Sequence, residues 1–425
     1  MVMTISIIYF IYILLKIYIS FMQAGFVLKA KDQKAVLMLP SKFYKAGKYS
    51  AKKEKIVILE TIVEYILFIF WIGFGLQWLD EVIQVKNIIL KSIIYIDIFL
   101  AINYIVGLPI EIYQKFVLDE KFGFNNSTIS LFIKDNLKGA LLFLIFGSLI
   151  IGAISYIILN FENWWVWGFL FVFTLIIFIN AIYPTIIAPM FNKFTPLKDE
   201  ELKKDIDGLL KRSGFKSNGV YVVDASKRDS RLNAYFGGLG KSKRVVLFDT
   251  LLEKLSKDEL LAVLGHELGH FANKDILKNI FMMGVMIFAL FYIFANLPNE
   301  LFDELHLSKE PYTIEALFLL LSPVFTFFFM PLINFVSRKN EYGADRHGAN
   351  LTSKSSLRNA LLKLVDENSH FPLSHPLYIF FYYSHPPIID RLKALGFEED
   401  SLSAKEALKE SCAAKEIEDE DRRGD

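Results

Sequence analysis

One hexapeptide, Gly265-His266-Glu267-Leu268-Gly269-His270, contains the pattern H-E-x-x-H. On a helix, His266 and His270 are four residues apart and share one face, so both imidazoles can bind a single Zn²⁺ ion. Glu267 lies beside them and can accept a proton from a water molecule at that ion. The motif therefore predicts a zinc hydrolase, provided that the segment is helical and that a third ligand comes from elsewhere in the chain.

The residues around the motif have the pattern of a helix. Ser256 is placed to be the N-cap, and Glu259 stands at the capping-box position. Leu264 and Leu268 then recur at helical spacing. Because no proline follows until Pro298, we expect the helix to run directly into the apolar segment that comes next.

The composition is that of a membrane protein rather than of a set of soluble domains. Of the 425 residues, 53% are hydrophobic and 15% aromatic, and 40 are phenylalanine. We therefore predict a mainly α-helical, polytopic membrane protein with about seven transmembrane helices in a lipid bilayer. The apolar runs near membrane-spanning length lie at about 4–21, 57–79, 88–110, 139–159, 165–187, 280–297 and 314–335.

Charge and cysteine content exclude other classes of protein and site. The formal net charge is only +1, so nothing indicates nucleic acid as a partner. Cys412 is the single cysteine. No internal disulfide can form, and a metal site cannot be a cysteine cluster.

The lysine distribution predicts which side of the membrane carries the motif. A loop at 24–56 contains nine lysines, so the positive-inside rule makes it cytoplasmic. A second loop at 111–138 faces the same side after two more crossings. Continued alternation leaves the H-E-x-x-H helix and the C-terminal part on the cytoplasmic side.

The pattern divides the chain into five parts. We predict a membrane domain of five spans at 1–191, followed by a soluble metalloprotease part at 192–278 with a small sheet and the H-E-x-x-H helix. Two further spans occupy 279–337, and C-terminal catalytic helices occupy 338–399. A charged tail at 400–425 is expected to be flexible.

The soluble part contains three short β-like runs before the motif. They lie at 219–223, 234–237 and 244–248 and are separated by polar and glycine-containing segments. A small sheet is therefore predicted next to the H-E-x-x-H helix. An edge strand of such a sheet can hold an extended peptide by strand addition.

Two carboxylates after the last span are candidates for the third ligand. Glu341 and Asp345 are four residues apart and share a helix face. One can complete a His₂Glu site that leaves the fourth position for water, and the other can accept a hydrogen bond from a ligand imidazole. Further on, His385 and Arg391 can stabilise a developing oxyanion, although the residues by themselves more often mark a capped helix start with a surface arginine.

The other histidines of the chain are less suitable as metal ligands. His306 falls in the predicted outer loop, on the wrong side of the membrane. His347 points away from the face that Glu341 and Asp345 share. His370 and His375 lie beyond this helix and have no motif around them.

Taken together, these motifs resemble the CAAX prenyl protease 1 family of integral-membrane zinc endopeptidases. The resemblance covers most of the chain, and the segments that carry it have the same order and spacing. They are Glu120 to Thr128, Pro189 to Phe194, Asn233 to Phe236, the H-E-x-x-H motif, Glu341 to Asp345, and Ser384 to Pro387 with Arg391.

The resemblance implies a ring of seven helices around a hydrated chamber, with a small α+β metalloprotease domain on the cytoplasmic side. It implies that His266, His270 and Glu341 bind one Zn²⁺ ion per chain and that Glu267 is the general base. Asp345 would orient one of the ligand histidines.

The resemblance also implies how substrate is held. His385 would stabilise the transition state with the support of Arg391. The residues bordering the substrate strand would be Asn233, Ala234, Tyr235 and Phe236.

The implied function is a membrane-embedded zinc metalloendopeptidase, similar to the protease that removes the last three residues of prenylated CAAX proteins. Its partner would be a peptide or protein substrate, lipidated or not, and no oligomer is required. One alternative is a bacterial quality-control membrane metalloprotease, which has fewer spans. Another is a transporter with a structural zinc, whose site would have four protein ligands.

The same reasoning predicts a multi-pass membrane location. Residue usage rich in lysine, isoleucine and phenylalanine is typical of an AT-rich prokaryote and favours a prokaryotic inner membrane. In a eukaryotic host we expect the endoplasmic reticulum membrane.

Overall fold

The computed structural model describes residues 1–238 and 243–397; the charged tail predicted at 400–425 lies outside them. Seven of the described helices are long and apolar enough to cross a membrane, which confirms the predicted number of spans. The first five follow one another: α1 (Val2–Ala30), α2 (Pro40–Val82), α3 (Ile88–Phe122), α4 (Ile129–Asn160) and α5 (Trp164–Phe191). Each of α2 to α5 includes one π-helical turn.

A soluble block with a four-stranded sheet follows the fifth span. The strand order is β1-β2-β4-β3, with β2 and β4 parallel and the other two pairs antiparallel. The three predicted strands are confirmed and β3 is an edge strand, whereas β1 is too short to show a sequence pattern. The elements are β1 (Phe194–Pro196), α6 (Glu200–Arg212), β2 (Val220–Val223), β3 (Ala234–Gly237), β4 (Arg244–Phe248), α7 (Asp249–Lys254) and α8 (Lys257–Ala272).

The chain then crosses the membrane twice more, and the part that the structure describes ends in three short helices. Two of the predicted part boundaries, 278/279 and 337/338, fall inside single helices. The helix predicted to carry the third ligand is therefore the continuation of the seventh span. These elements are α9 (Asp275–Ala295), α10 (Asn299–Glu304), α11 (Pro311–Leu351), α12 (Lys354–Glu367), α13 (Pro376–Tyr382) and α14 (Ile388–Ala394).

The predicted cytoplasmic loops at 24–56 and 111–138 are mostly helix, which corrects the sequence prediction. The chain turns only at 31–39 and at 123–128. α2 has 43 residues, about 65 Å at 1.5 Å per residue, whereas the hydrocarbon core of a bilayer is about 30 Å thick. The helices therefore continue well beyond the membrane, where polar sequence alone had predicted loops.

The spans form a ring that is tightly packed at one end only. Consecutive spans pack on one another, and α11 closes the ring by packing on α9, α3 and α1. The buried core, with Trp71 and Tyr95 among its members, lies at the end opposite the soluble block. Nearer the soluble block, the consecutive residues Leu144, Ile145 and Phe146 of α4 are all exposed. Because successive helical residues point about 100° apart, these exposed side chains lie on more than one side of α4, as expected of a wall between lipid and an internal cavity.

The H-E-x-x-H helix, α8, begins as predicted but ends earlier than predicted. The Ser256 side chain accepts from the Glu259 backbone N–H, and the Glu259 carboxylate accepts from the Ser256 N–H, so the capping box is confirmed. The helix ends at Ala272, and Lys274 adopts a left-handed conformation with φ 57°. The sixth span is consequently a separate helix, which starts at Asp275.

Candidate metal centre

Two helices meet closely enough to bring their ligands to one point. A Cβ atom added to Gly269 would lie 2.6 Å from the Cα of Ala344, and one added to Gly348 would lie 2.7 Å from the backbone N of His266. Only glycine therefore allows α8 and α11 to cross at this distance. The crossing places Glu341 beside the two histidines of the motif.

Three side chains from these helices are placed to bind one metal ion. His266 Nε2 lies 3.5 Å from Glu341 Oε2, and His270 Nε2 lies 3.2 Å from Glu341 Oε1. The three ligand atoms all lie within 4.8 Å of one another. Ligand atoms at about 2.0–2.1 Å from a tetrahedral zinc are roughly 3.3 Å apart. The spacing therefore fits an ion of that size.

The Glu341 carboxylate also has the electrostatics of a metal ligand. Its Oε2 atom is buried and forms no hydrogen bond within residues 1–238 and 243–397. Its nearest charged neighbours are Arg391 Nη1 at 3.3 Å and His266 Nε2 at 3.5 Å, and a cation between Glu341 and the two imidazoles would give this buried oxygen a direct partner.

Asp345 holds the first of the two histidines. Its Oδ1 atom lies 2.8 Å from His266 Nδ1, which leaves Nε2 directed at Glu341. Arg391 donates to both oxygens of Asp345, at 2.8 and 2.6 Å, and its Nη1 lies 3.3 Å from Glu341 Oε2. The sequence placed Arg391 with His385. The structure places its buried guanidinium against Glu341, one of the three candidate ligands, and against Asp345 behind His266, where it offsets the charge of both carboxylates.

Asp275 holds the second histidine in the same way, and sequence analysis missed it. Its Oδ2 atom lies 3.0 Å from His270 Nδ1, and its Oδ1 atom accepts from Lys278 at 2.8 Å. The break after α8 turns the chain so that the first residue of α9 faces back towards the motif. The only signal in the sequence is a carboxylate five residues after the second histidine.

Glu267 lies between the two ligand histidines in sequence and points into the same site. Burial raises the pKa of its carboxyl, while His266, His270 and Arg391 act in the opposite direction and Glu341 raises it further. A raised pKa makes the carboxylate a stronger base towards water, as a general base acting near neutral pH requires.

His385 faces the metal site, and hydrogen bonds from α11 hold the segment just before it. Its Nε2 atom lies 3.3 Å from Glu341 Oε1, and its side chain is 61% exposed, so it is open to the site. Arg338 donates to the carbonyl oxygens of Ile379 and Tyr383 at 3.0 and 2.6 Å. Those contacts bind the C-terminal end of α13, two residues before His385. Arg338 is also three residues before Glu341, so one helix positions both groups.

The predicted substrate-strand residues lie along β3. Ala234 pairs with Leu247 and Tyr235 with Val246 on one side of the strand, and β3 packs on α8. The other side of β3 has no strand partner within the described part of the chain. Asn233 precedes the strand and is exposed. This edge therefore lies next to the H-E-x-x-H helix.

Two arginines just before β3 join the soluble block to the spans. Arg228 donates to both oxygens of Asp135 on α4, at 2.9 and 3.0 Å. Arg231 donates to the Tyr49 hydroxyl on α2 at 2.7 Å, and its guanidinium lies 4.2 Å from the centre of the Phe124 ring. The segment from Glu120 to Thr128, which reads as a simple turn from the sequence, is thus a docking point for the protease domain.

Two family models match the chain in succession. Residues 32–193 match the CAAX prenyl protease N-terminal domain of five membrane helices. Residues 196–399 match peptidase family M48. The junction coincides with β1, where the chain leaves the membrane domain.

Characterised proteins match over most of their own lengths. The CAAX prenyl protease 1 homolog of Oryza sativa is 34% identical over 388 residues, which cover 86% of this chain and 89% of the relative. The CAAX prenyl protease 1 of Saccharomyces cerevisiae is 34% identical over 402 residues, covering 84% and 86%. The crystal structure of S. mikatae Ste24p is 30% identical with a TM-score of 0.83 and covers 93% of this chain and 98% of that one.

A ring of seven membrane helices that carries a His-His-Glu site of peptidase family M48 defines an integral-membrane metalloendopeptidase. The match to the CAAX prenyl protease N-terminal domain favours this class over the quality-control proteases, for which we expected fewer spans. Among the described residues, three side chains converge on the candidate site rather than the four expected of a structural zinc. The chain belongs to the CAAX prenyl protease 1 family.

Proposed function

We propose that this protein is a zinc endopeptidase that cleaves near the C-terminus of proteins ending in a prenylated cysteine and three further residues. The proposal rests on the position of β3. This edge strand packs on α8 beside the His-His-Glu site, at the end of the ring of spans that faces the soluble block. An edge strand accepts an extended peptide, and the space between the spans suits a lipid chain. The names of the relatives, CAAX prenyl proteases, supply the substrate class.

In this proposal His266, His270 and Glu341 hold one zinc ion, and Asp345 and Asp275 fix the orientation of the two imidazoles. Bound zinc supplies a Lewis acid that polarises a peptide carbonyl and makes water nucleophilic near neutral pH. Arg391 holds Asp345 in place behind His266 and lies against the ligand Glu341.

The remaining residues act on the substrate. Glu267 takes a proton from the attacking water and delivers it to the leaving amine. His385 donates from its ring to the oxyanion that forms on the carbonyl. Asn233 and the strand residues Ala234, Tyr235 and Phe236 align the peptide with these groups.

We further propose that the active site faces the cytoplasm. The lysine-rich ends of α1 and α2 lie on the side of the spans that carries the soluble block, so the positive-inside rule supports this orientation. The membrane would be the inner membrane of a prokaryotic host or the endoplasmic reticulum membrane of a eukaryotic one.

The test of this function is cleavage of matched peptides by purified, zinc-loaded protein in detergent. The same C-terminal peptide is offered with and without a farnesyl group on its cysteine. We expect faster cleavage of the lipidated peptide, at the bond after the modified cysteine. Equal cleavage of both peptides would contradict the proposed substrate class, and cleavage of neither would contradict the endopeptidase activity itself.

A substitution at Asp275 tests whether this carboxylate supports the metal. We expect Asp275→Asn to weaken zinc binding by about 10–100-fold, because loss of such a supporting carboxylate has this effect at other sites. Competition with a fluorescent chelator measures the affinity. Asp207→Asn, on the exposed face of α6, is the control and should bind zinc as the wild type does. An unchanged affinity in Asp275→Asn would show that His270 needs no carboxylate partner.

A further inference from the structure

His370 is a histidine inside the protein that the proposed mechanism does not use. It follows α12 and precedes α13, and its side chain is accessible. Burial nevertheless lowers the pKa of its imidazole. The next residue, Phe371, is buried and packs on Phe43 of α2 with ring centroids 4.7 Å apart, so the accessible side of His370 borders a cavity between α2 and α12.

That cavity is the one that contains the active site. The His370 ring centroid lies 6.1 Å from that of Tyr383, which is two residues before His385. Electrostatic interactions from His385 and from Lys53 also reach the His370 ring. His370 and Lys53 are therefore near the active site, on the side from which His385 approaches it.

Lys53 brings a positive charge to this wall. It lies on α2, is exposed, and forms no ion pair within the described residues. Glu54 and Glu60 on the same helix interact with it electrostatically without pairing, and the buried Glu54 carboxylate accepts a hydrogen bond from Tyr378 at 2.8 Å instead. An ammonium group at such a place is suited to bind an anion.

The proposed substrate carries an anion at a defined distance from the cleaved bond. Its α-carboxylate ends a three-residue segment beyond that bond, which in extended form is about 10 Å long at about 3.3 Å per residue. A carboxylate carried into an enclosed site must find donors there, because burying it without partners is strongly unfavourable.

We propose that Lys53 and His370 bind the C-terminal carboxylate of the peptide substrate. This inference rests on the proposed function. It makes the site one that recognises the end of a chain: Lys53 supplies the charge and the His370 ring donates one hydrogen bond. The bond to be cleaved is thereby set a fixed number of residues from the terminus.

The experiment compares a farnesylated peptide that ends in a free carboxylate with the same peptide ending in an amide. We expect the wild type to have a KM for the acid that is lower by about tenfold or more, as for loss of a charged hydrogen-bonded pair. In Lys53→Gln and His370→Gln the ratio of acid to amide cleavage should fall towards one. Lys52→Gln and His306→Gln repeat each change away from the cavity and should keep the wild-type ratio.

Each result bears on a different claim. Equal KM values for acid and amide in the wild type would overturn the inference while the peptidase function stands. A wild-type preference that both variants retain would overturn the assignment to Lys53 and His370. Cleavage of neither peptide by the wild type would overturn the proposed function, and the inference with it.

Discussion

Glu267→Gln is expected to lower the rate of peptide hydrolysis by about 10²–10⁴-fold, the range for loss of a general acid–base group. The metal content should stay at the wild-type value, because Glu267 is not among the three side chains that converge on the ion. The amide has nearly the same size and shape as the carboxyl but cannot accept the proton from water. Metal analysis and single-turnover cleavage on the same sample measure both quantities.

The matched control for this change is Glu253→Gln, on the exposed side of α7. It makes the same chemical replacement a short distance before the motif and should keep both activity and metal. If Glu267→Gln were fully loaded with zinc and cleaved peptide at the wild-type rate, Glu267 could not be the base and the proposed mechanism would be wrong.

Glu341→Gln is expected to release the metal. Zinc affinity should fall by more than about 100-fold, which exceeds the range for groups that only support a ligand. The change removes the one negative charge among the three ligands. It also removes the negative charge that lies 3.3 Å from Arg391 Nη1, while Arg391 keeps its hydrogen bonds to the Asp345 carboxylate. Chelator competition measures affinity, and cleavage at limiting zinc should be undetectable.

A control on the same helix separates metal binding from the loss of a buried carboxylate. Glu315 lies near the other end of α11, is buried, and accepts a hydrogen bond from Ser155 at 2.9 Å. Glu315→Gln should therefore keep its zinc. Retention of zinc by Glu341→Gln, at an affinity close to that of the wild type, would exclude Glu341 as the third ligand.

Much of the architecture is readable from local sequence, because it depends on residues close together in the chain. The capping box at Ser256 and Glu259 predicted the start of α8, and the four-residue spacing of His266 and His270 predicted that they share a face. Seven apolar runs predicted seven spans, because the length of a span is set by the thickness of the bilayer.

Helix ends were predicted less well than helix centres. Polar residues on both sides of the membrane look like loops in a hydropathy pattern, yet α2 and α3 stay helical beyond the bilayer. The end of α8 at Ala272 was not predicted either. The chain turns there through Lys274 in a left-handed conformation, and neither proline nor glycine marks this position in the sequence.

Local sequence determined which chemical groups this protein can use: two imidazoles and a base on one helical turn, a pair of carboxylates on another helix, and an edge strand beside them. The sequence also led us to expect Asp345 beside a ligand histidine, but the tertiary structure alone decided which histidine it meets and how Arg391 and Asp275 join the site. Asp345 meets His266 across 79 residues of chain, and Arg391 meets Asp345 across 46. Such contacts produce no periodic pattern in the sequence, because they depend on the tertiary structure. The glycines of α8 and α11 set how closely the two helices cross, and the turn after α8 brings Asp275 back to His270.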